Sequence, residues 1–182
     1  MQPAIFPPLK NFHHVAFRFR DAQETRAFYE GILGMPMTAA LALDEISGTN
    51  TKLEYLHLFF QMSDGNYLAF FDAPDTATEE HFKKKSGFNR HLAIETESLG
   101  ALETFKEKLK AHGIEFWGPL DHGFVKSIYF YDPNGINVEI TARTAQYEEI
   151  LADEKRKLES EMSKWTEKTR AKKAGRNLKI AA

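Results

Sequence analysis

One order of elements is written twice in this chain, and it constrains the fold more than any single motif. Residues 13 to 20 alternate as a strand, and "DAQETRAFYEGILG" follows as a helix with Asp21 suited to its N-cap and Gly34 to its stop. Three strands come next: "MPMTAALAL", weakly patterned, then "TNTKLEYLHLFFQM" and "NYLAFFDA", joined by the turn "SDGN". A polar connection, "DTATEEHFKKKSG", has room for one helical turn. The order then restarts with a strand over residues 89 to 96 and the helix "SLGALETFKEKLKAHG". Three more strands follow, "IEFWG", "VKSIYFYD" and "GINVEIT", the last two joined by "DPNG". The two strand openings, "FHHVA" and "FNRHLA", match, and His14 precedes Gly34 by 20 residues as His91 precedes Gly113 by 22. A tandem duplication of one βαβββ unit explains this. The reading divides the chain into an arm over 1–10, a first unit over 11–75, a connection and second unit over 76–142, and a charged helix and tail over 143–182.

At 182 residues, with 42 % hydrophobic residues and fifteen phenylalanines, the chain can bury a substantial core. A net charge of -2 gives no reason to expect nucleic acid or an anionic membrane as partner. No apolar run approaches the roughly 18 residues of a membrane span. The opening "MQPAIFPPLK" lacks the pattern of a signal peptide. The absence of cysteine removes thiolate chemistry and fits a cytoplasmic address. In "RTAQYEEILADEKRKLESEMSKWTEKTRAKKAG" the residues Tyr147, Ile150, Leu151, Leu158, Met162 and Trp165 make a thin apolar stripe. Such a stripe suits a solvated helix laid on its own domain, or a helix packed on a second subunit of a homodimer.

Strand alternation assigns faces. Val15, Phe17, Phe19, Leu56, Leu58, Phe60, Leu68, Phe70, Leu92, Ile94, Ile128, Phe130, Val138 and Ile140 should meet the helices. His14, Ala16, Arg18, Tyr55, His57, Phe59, Gln61, Tyr67, Ala69, Phe71, His91, Glu95, Ser127, Tyr129, Tyr131, Asn137 and Glu139 should face away. That second face mixes aromatics with a few polar groups, as a concave binding pocket does. His14, His91 and Glu139 lie in phase on it. Two imidazoles and one carboxylate make the facial triad that suits non-haem iron(II), and the same donors accept manganese, zinc, nickel or cobalt. For any one histidine taken alone, a hydrogen-bonding role in a half-buried sheet is explanation enough.

The stretches "HHVAFRF", "FYEGILGM", "RHLAIE" and "DHGFVKSIYFYDPNGINVEI" resemble the vicinal oxygen chelate superfamily, which includes glyoxalase I, bleomycin- and fosfomycin-resistance proteins and the type I extradiol dioxygenases. The resemblance spans roughly residues 11 to 142. It implies an α+β fold of two βαβββ modules whose mixed sheets form a cupped, open barrel around a divalent metal. It places the ligands at His14, His91 and Glu139, with Ala69 at a fourth position that a methyl leaves vacant. Three protein ligands is the dioxygenase pattern. In those enzymes a tyrosine ten residues before the ligating glutamate orients the catecholate, and Tyr129 stands ten residues before Glu139. The acid/base histidine of the dioxygenases is replaced here by Asn66, and His122 and His57 are the candidates to move protons instead.

The expectation is therefore an iron(II)-dependent extradiol-type dioxygenase that brings a catechol-like aromatic and dioxygen together, with Tyr55, Phe59, Tyr67, Phe71 and Tyr131 as ring walls. Two alternatives share the fold. One is a metal-dependent isomerase, lyase or hydrolase on a vicinal dioxygen substrate. The other is a protein that only binds an aromatic ligand.

Overall fold

A computed structural model of the chain describes residue 7 and residues 9–174. Most of the arm over 1–10, and the tail beyond 174, lie outside the described residues. The elements are β1 (His14–Arg18), α1 (Ala22–Arg26), which continues as a π-helical turn over Ala27–Ile32, β2 (Met37–Ile46), β3 (Thr51–Gln61) and β4 (Tyr67–Asp72). A short α2 (Glu79–Lys83) lies in the polar connection. Then come β5 (Leu92–Glu95), α3 (Leu99–Ala111), β6 (Phe116–Asp121), β7 (Val125–Tyr131), β8 (Asn137–Arg143) and α4 (Tyr147–Lys173). Two four-stranded mixed sheets result, ordered β1-β4-β3-β2 and β5-β8-β7-β6. In each, the first strand pairs parallel with the last and the other pairs are antiparallel. A parallel pair needs a long crossover, and the helix plus two strands between β1 and β4 supply it. The sheets form the cupped, open arrangement of paired βαβββ units, and no closed barrel joins them.

Local chemistry starts the helices where the sequence predicts. Asp21 accepts a hydrogen bond from the Glu24 amide at 2.8 Å, and Ser98 accepts one from the Ala101 amide at 3.1 Å. The first helix departs from the α pattern after Arg26. The Leu33 amide donates to the Phe28 carbonyl at 3.0 Å, five residues back. Phe28 and Tyr29, neighbours in sequence, are both buried there. Tyr29 packs on Phe70 and Phe60 of the first sheet, while Phe28 reaches Phe130 of the second.

The core is one cluster running through both sheets. Leu58, Phe60, Leu68 and Phe70 meet the first helix, and Ile128, Phe130, Val138 and Ile140 pack with Leu102 and Leu109 of α3. Each such side chain, fully buried, contributes about 1.5–3 kcal/mol. The alternation therefore assigned these faces correctly. Val15 is the exception, 39 % exposed, because β1 is an edge strand and the helical layer covers only Phe17 and Phe19.

Several boundaries differ from the sequence reading. The weak strand runs to Ile46 and pairs with β3 through two register shifts. The fifth strand begins only at Leu92, since residues 87–89 form a tight turn led by Gly87 at φ 53°. His91 thus stands at the lip of the second sheet, just ahead of the strand. The C-terminal helix is largely solvated beyond its first turns. Its start is held by Tyr147, which meets Phe124 and the Arg143 guanidinium. Further along, Leu158, Met162 and Trp165 are more than half exposed, and among the described residues no strand or helix packs broadly against them.

Candidate metal centre and binding face

Glu139 lies in the middle of β8, in register with Ala93 of β5 on one side and Tyr129 of β7 on the other. Its flanking residues Val138 and Ile140 are fixed in the core, so alternation turns its carboxylate to the concave face. It is only 6 % exposed there. His91 brings Nε2 to 3.2 Å from Glu139 Oε2. Tyr129 stands across the strand pair. Burial, then the hydrogen bond and charge of Glu139, push its phenol above the ordinary tyrosine value, with Ser127 partly offsetting them. His122, on the loop between β6 and β7, places Nε2 at 3.0 Å from the Tyr129 hydroxyl. The second sheet thus carries a connected run of His91, Glu139, Tyr129 and His122. Trp117 stacks on Tyr129 with ring centres 5.7 Å apart, and Tyr131 leans on Trp117.

The first sheet carries a different group. His14 lies 5.6 Å from Phe59 and 6.1 Å from His57 between ring centres, and its Nδ1 is 2.9 Å from Nδ1 of His13. His57 is stacked on Phe71 at 4.0 Å, and its Nε2 is buried without a hydrogen-bond partner among the described residues. Burial, and then the nearby His14, lower its pKa, so its ring is held neutral more firmly than an ordinary histidine. The predicted walls Tyr55, Phe59, Tyr67 and Phe71 surround this group, while Tyr131 belongs to the second sheet.

The site residues therefore come together as two clusters. His91, Glu139, Tyr129 and His122 form one; His14 and His57 form the other. Among the described residues, no group of three or more His, Asp or Glu side chains is close enough to hold one metal ion. Two donors bonded at about 2.1 Å and at right angles on one ion stand about 3.0 Å apart. The His91–Glu139 separation suits one such edge, and an imidazole with a carboxylate suits divalent first-row metals. His14 belongs to the first sheet and stands in the other cluster, with His13, His57 and Phe59. Sequence reasoning missed Trp117. The signal was available, since the partly buried Phe116 beside it fixes Trp117 on the opposite face.

Residues 11–140 match the sequence model of the Glyoxalase/Bleomycin resistance protein/Dioxygenase superfamily. The chain belongs to this superfamily. Solved structures of the same fold include a superfamily domain from Frankia sp. EAN1pec, 19 % identical with a TM-score of 0.62, covering 75 % of this chain and 100 % of that one. The fosfomycin resistance protein FosX from Listeria monocytogenes is 22 % identical with a TM-score of 0.55, over 77 % of this chain and 98 % of that one. Another FosX structure contains Mn(II) and a sulfate ion. Among curated proteins, biphenyl-2,3-diol 1,2-dioxygenase 2 of Rhodococcus globerulus is 38 % identical over 73 residues. That match takes in 40 % of this chain and 37 % of the enzyme's length. Within the superfamily fold, β8 carries the buried carboxylate. Among the described residues no helix is long and apolar enough to cross a membrane.

Proposed function

We propose that this chain is a divalent-metal-dependent dioxygenase of the extradiol type that cleaves a catechol-like ring. The observation that carries the reading is the buried Glu139 carboxylate with His91 at 3.2 Å, flanked by Tyr129 and His122 on an aromatic-lined concave face. His91 and Glu139 would hold the metal, iron(II) in preference to manganese, zinc, nickel or cobalt, with His14 supplied from the first sheet as third protein ligand. When bound, such an ion supplies a positive charge that favours the anionic form of a chelating hydroxyl and a redox centre for dioxygen.

The chain's own residues do the remaining work. Tyr129 donates its hydroxyl proton in a hydrogen bond to the substrate oxygen. His122 Nε2, 3.0 Å from that hydroxyl, receives or returns a proton through it. Trp117 and Tyr131, on the same sheet as Tyr129, would offer apolar faces to a planar ring. The partial match to a biphenyl-2,3-diol dioxygenase supports this choice of substrate class. The exposed α4 stripe offers the surface for a homodimer.

Asn66 favours one rival. Its amide is tied to Asp64 in the β3–β4 turn, at 2.9 Å through the backbone and 2.7 Å through the side chain. No imidazole stands at the position where the dioxygenases keep their acid/base group. A Lewis-acid isomerase or lyase needs no such group for dioxygen chemistry. Oxygen uptake by the iron-loaded protein over a panel that includes biphenyl-2,3-diol decides between them. Uptake with ring-opened product supports the dioxygenase. Anaerobic turnover of a vicinal dioxygen compound with a redox-inert metal supports the rival.

A further inference from the structure

A second concavity lies at the seam between the edge strands β1 and β5, with a volume of about 390 Å³. That is within the usual range for a small-molecule site. Phe17, Phe82, Leu92 and Ile136 give it an apolar floor. Arg18, Lys84 and Arg90 stand at its rim, and His91 closes the side toward the carboxylate site. No Asp or Glu lines it among the described residues. Among the described residues Lys84 and Arg90 enter no ion pair, while Arg18 is pinned by hydrogen bonds to the Ala73 carbonyl at 2.9 Å and Thr76 Oγ1 at 3.0 Å.

The wall is built rather than incidental. The Ser86 amide donates to the Gly135 carbonyl at 3.1 Å, and Ser86 Oγ accepts from the Asn137 amide at 2.8 Å. Gly135 has φ 79°, and a Cβ there would meet the Phe82 carbonyl at 2.7 Å. The connection can lie this close only against glycine. Asp72 lies near enough to Arg18 to feel its charge, but no carboxylate of the described residues lines the cavity itself, and Lys84 and Arg90 over an apolar floor, with Arg18 beside them, are complementary to an aromatic body that carries an anionic group.

We propose that this cavity binds an aromatic carboxylate, with the ring on Phe17, Phe82, Leu92 and Ile136 and the carboxylate facing Arg18, Lys84 and Arg90. That the ligand is also the substrate rests on the function proposed above, through the shared His91; the binding itself does not. Arg18 supplies a guanidinium already held in place, so little of its side-chain freedom is lost when the anion arrives.

The test uses 2-naphthoate and the neutral 2-naphthalenemethanol, titrated by calorimetry into the full chain with and without added metal. Neither probe carries vicinal hydroxyls or consumes oxygen, so the result is independent of any dioxygenase assay. Naphthoate is expected to bind at least about tenfold more tightly than the alcohol at low salt, with the margin shrinking as salt rises. Lys84→Gln with Arg90→Gln, both exposed and outside any hydrogen bond that holds the fold together, should remove most of that margin and leave alcohol binding alone. Arg18→Gln should do the same, provided its circular dichroism and melting temperature match the parent. Equal affinity for the two probes, binding of neither, or a margin untouched in the Lys84/Arg90 variant would each overturn the proposal.

Discussion

Tyr29 and Asp132, 103 positions apart, are joined by a buried hydrogen bond in which the tyrosine hydroxyl donates to Asp132 Oδ2 at 3.0 Å. Asp132 also accepts from the Asn134 and Ile136 amides at 2.9 and 2.7 Å, and Asn134 in turn accepts from the Arg20 amide at 2.8 Å. One polar knot thus ties the first helix to the turn between β7 and β8. The same turn carries Gly135 and forms one wall of the seam cavity.

Tyr29→Phe should destabilise the protein by about 1–3 kcal/mol, because it removes a donor from a buried carboxyl. Asp132→Ala should cost more, since it strands several donors at once. A double-mutant cycle read by urea denaturation should return a coupling of about 0.5–3 kcal/mol between the two positions. A coupling indistinguishable from zero would mean that the two units are joined by apolar packing alone.

The Asp132 carboxyl also predicts a pH dependence. Burial outweighs its hydrogen bonds and raises its pKa above the ordinary aspartate value. The folded chain therefore holds that proton more tightly than the unfolded chain does. Its contribution is fully present below the unfolded pKa and is lost as pH rises through the raised folded value. The stability of the parent relative to Asp132→Asn should accordingly be greatest in acid and decline across that interval. Paired thermal melts from acid to neutral pH measure it; a difference that grows with pH contradicts the assignment.

Gly135→Ala should destabilise by about 1–3 kcal/mol, through its positive φ and the close approach of the Phe82 carbonyl. The variant should also bind 2-naphthoate less well, since the wall over the cavity must shift. Chemical denaturation and the same calorimetry check both effects.

Metal retention separates the two clusters. His91→Ala and Glu139→Ala should each reduce metal retained after dialysis by more than about tenfold, the scale on which loss of a direct ligand exceeds that of its supporting shell. His14→Ala should do so as well if the first sheet supplies the third ligand, whereas His57→Ala should leave retention nearly intact. Elemental analysis of the purified variants reads this without any activity assay. Full retention in His14→Ala would remove His14 from the ligand set.

The exposed stripe on α4 predicts a concentration-dependent dimer. Leu158→Glu with Trp165→Glu should shift it to monomer in sedimentation equilibrium while leaving the helical signal and the body intact. Parent protein that stays monomeric at high concentration would refute the interface.

The repeated order, the helix caps at Asp21 and Ser98, and the faces of Phe60, Phe70, Phe130 and Val138 were all legible in the sequence. Each depends on periodicity or on a neighbour within a few residues, and those are properties of a short stretch of chain. Alternation likewise turned Glu139 to the concave face beside Tyr129. Three things were not legible: the π-helical turn that sends Phe28 and Tyr29 to different sheets, the late start of β5 that leaves His91 at its lip, and the separation of His14 from the His91–Glu139 pair. They depend on how two sheets that share no strand pairing among the described residues sit across a shared core. That placement is set by side-chain packing over a hundred positions of sequence, of which a local pattern carries no record. The seam cavity has the same origin: Arg18 comes from β1, Lys84 and Arg90 from the connection ahead of β5, and only the packed tertiary structure brings these two segments to one cavity.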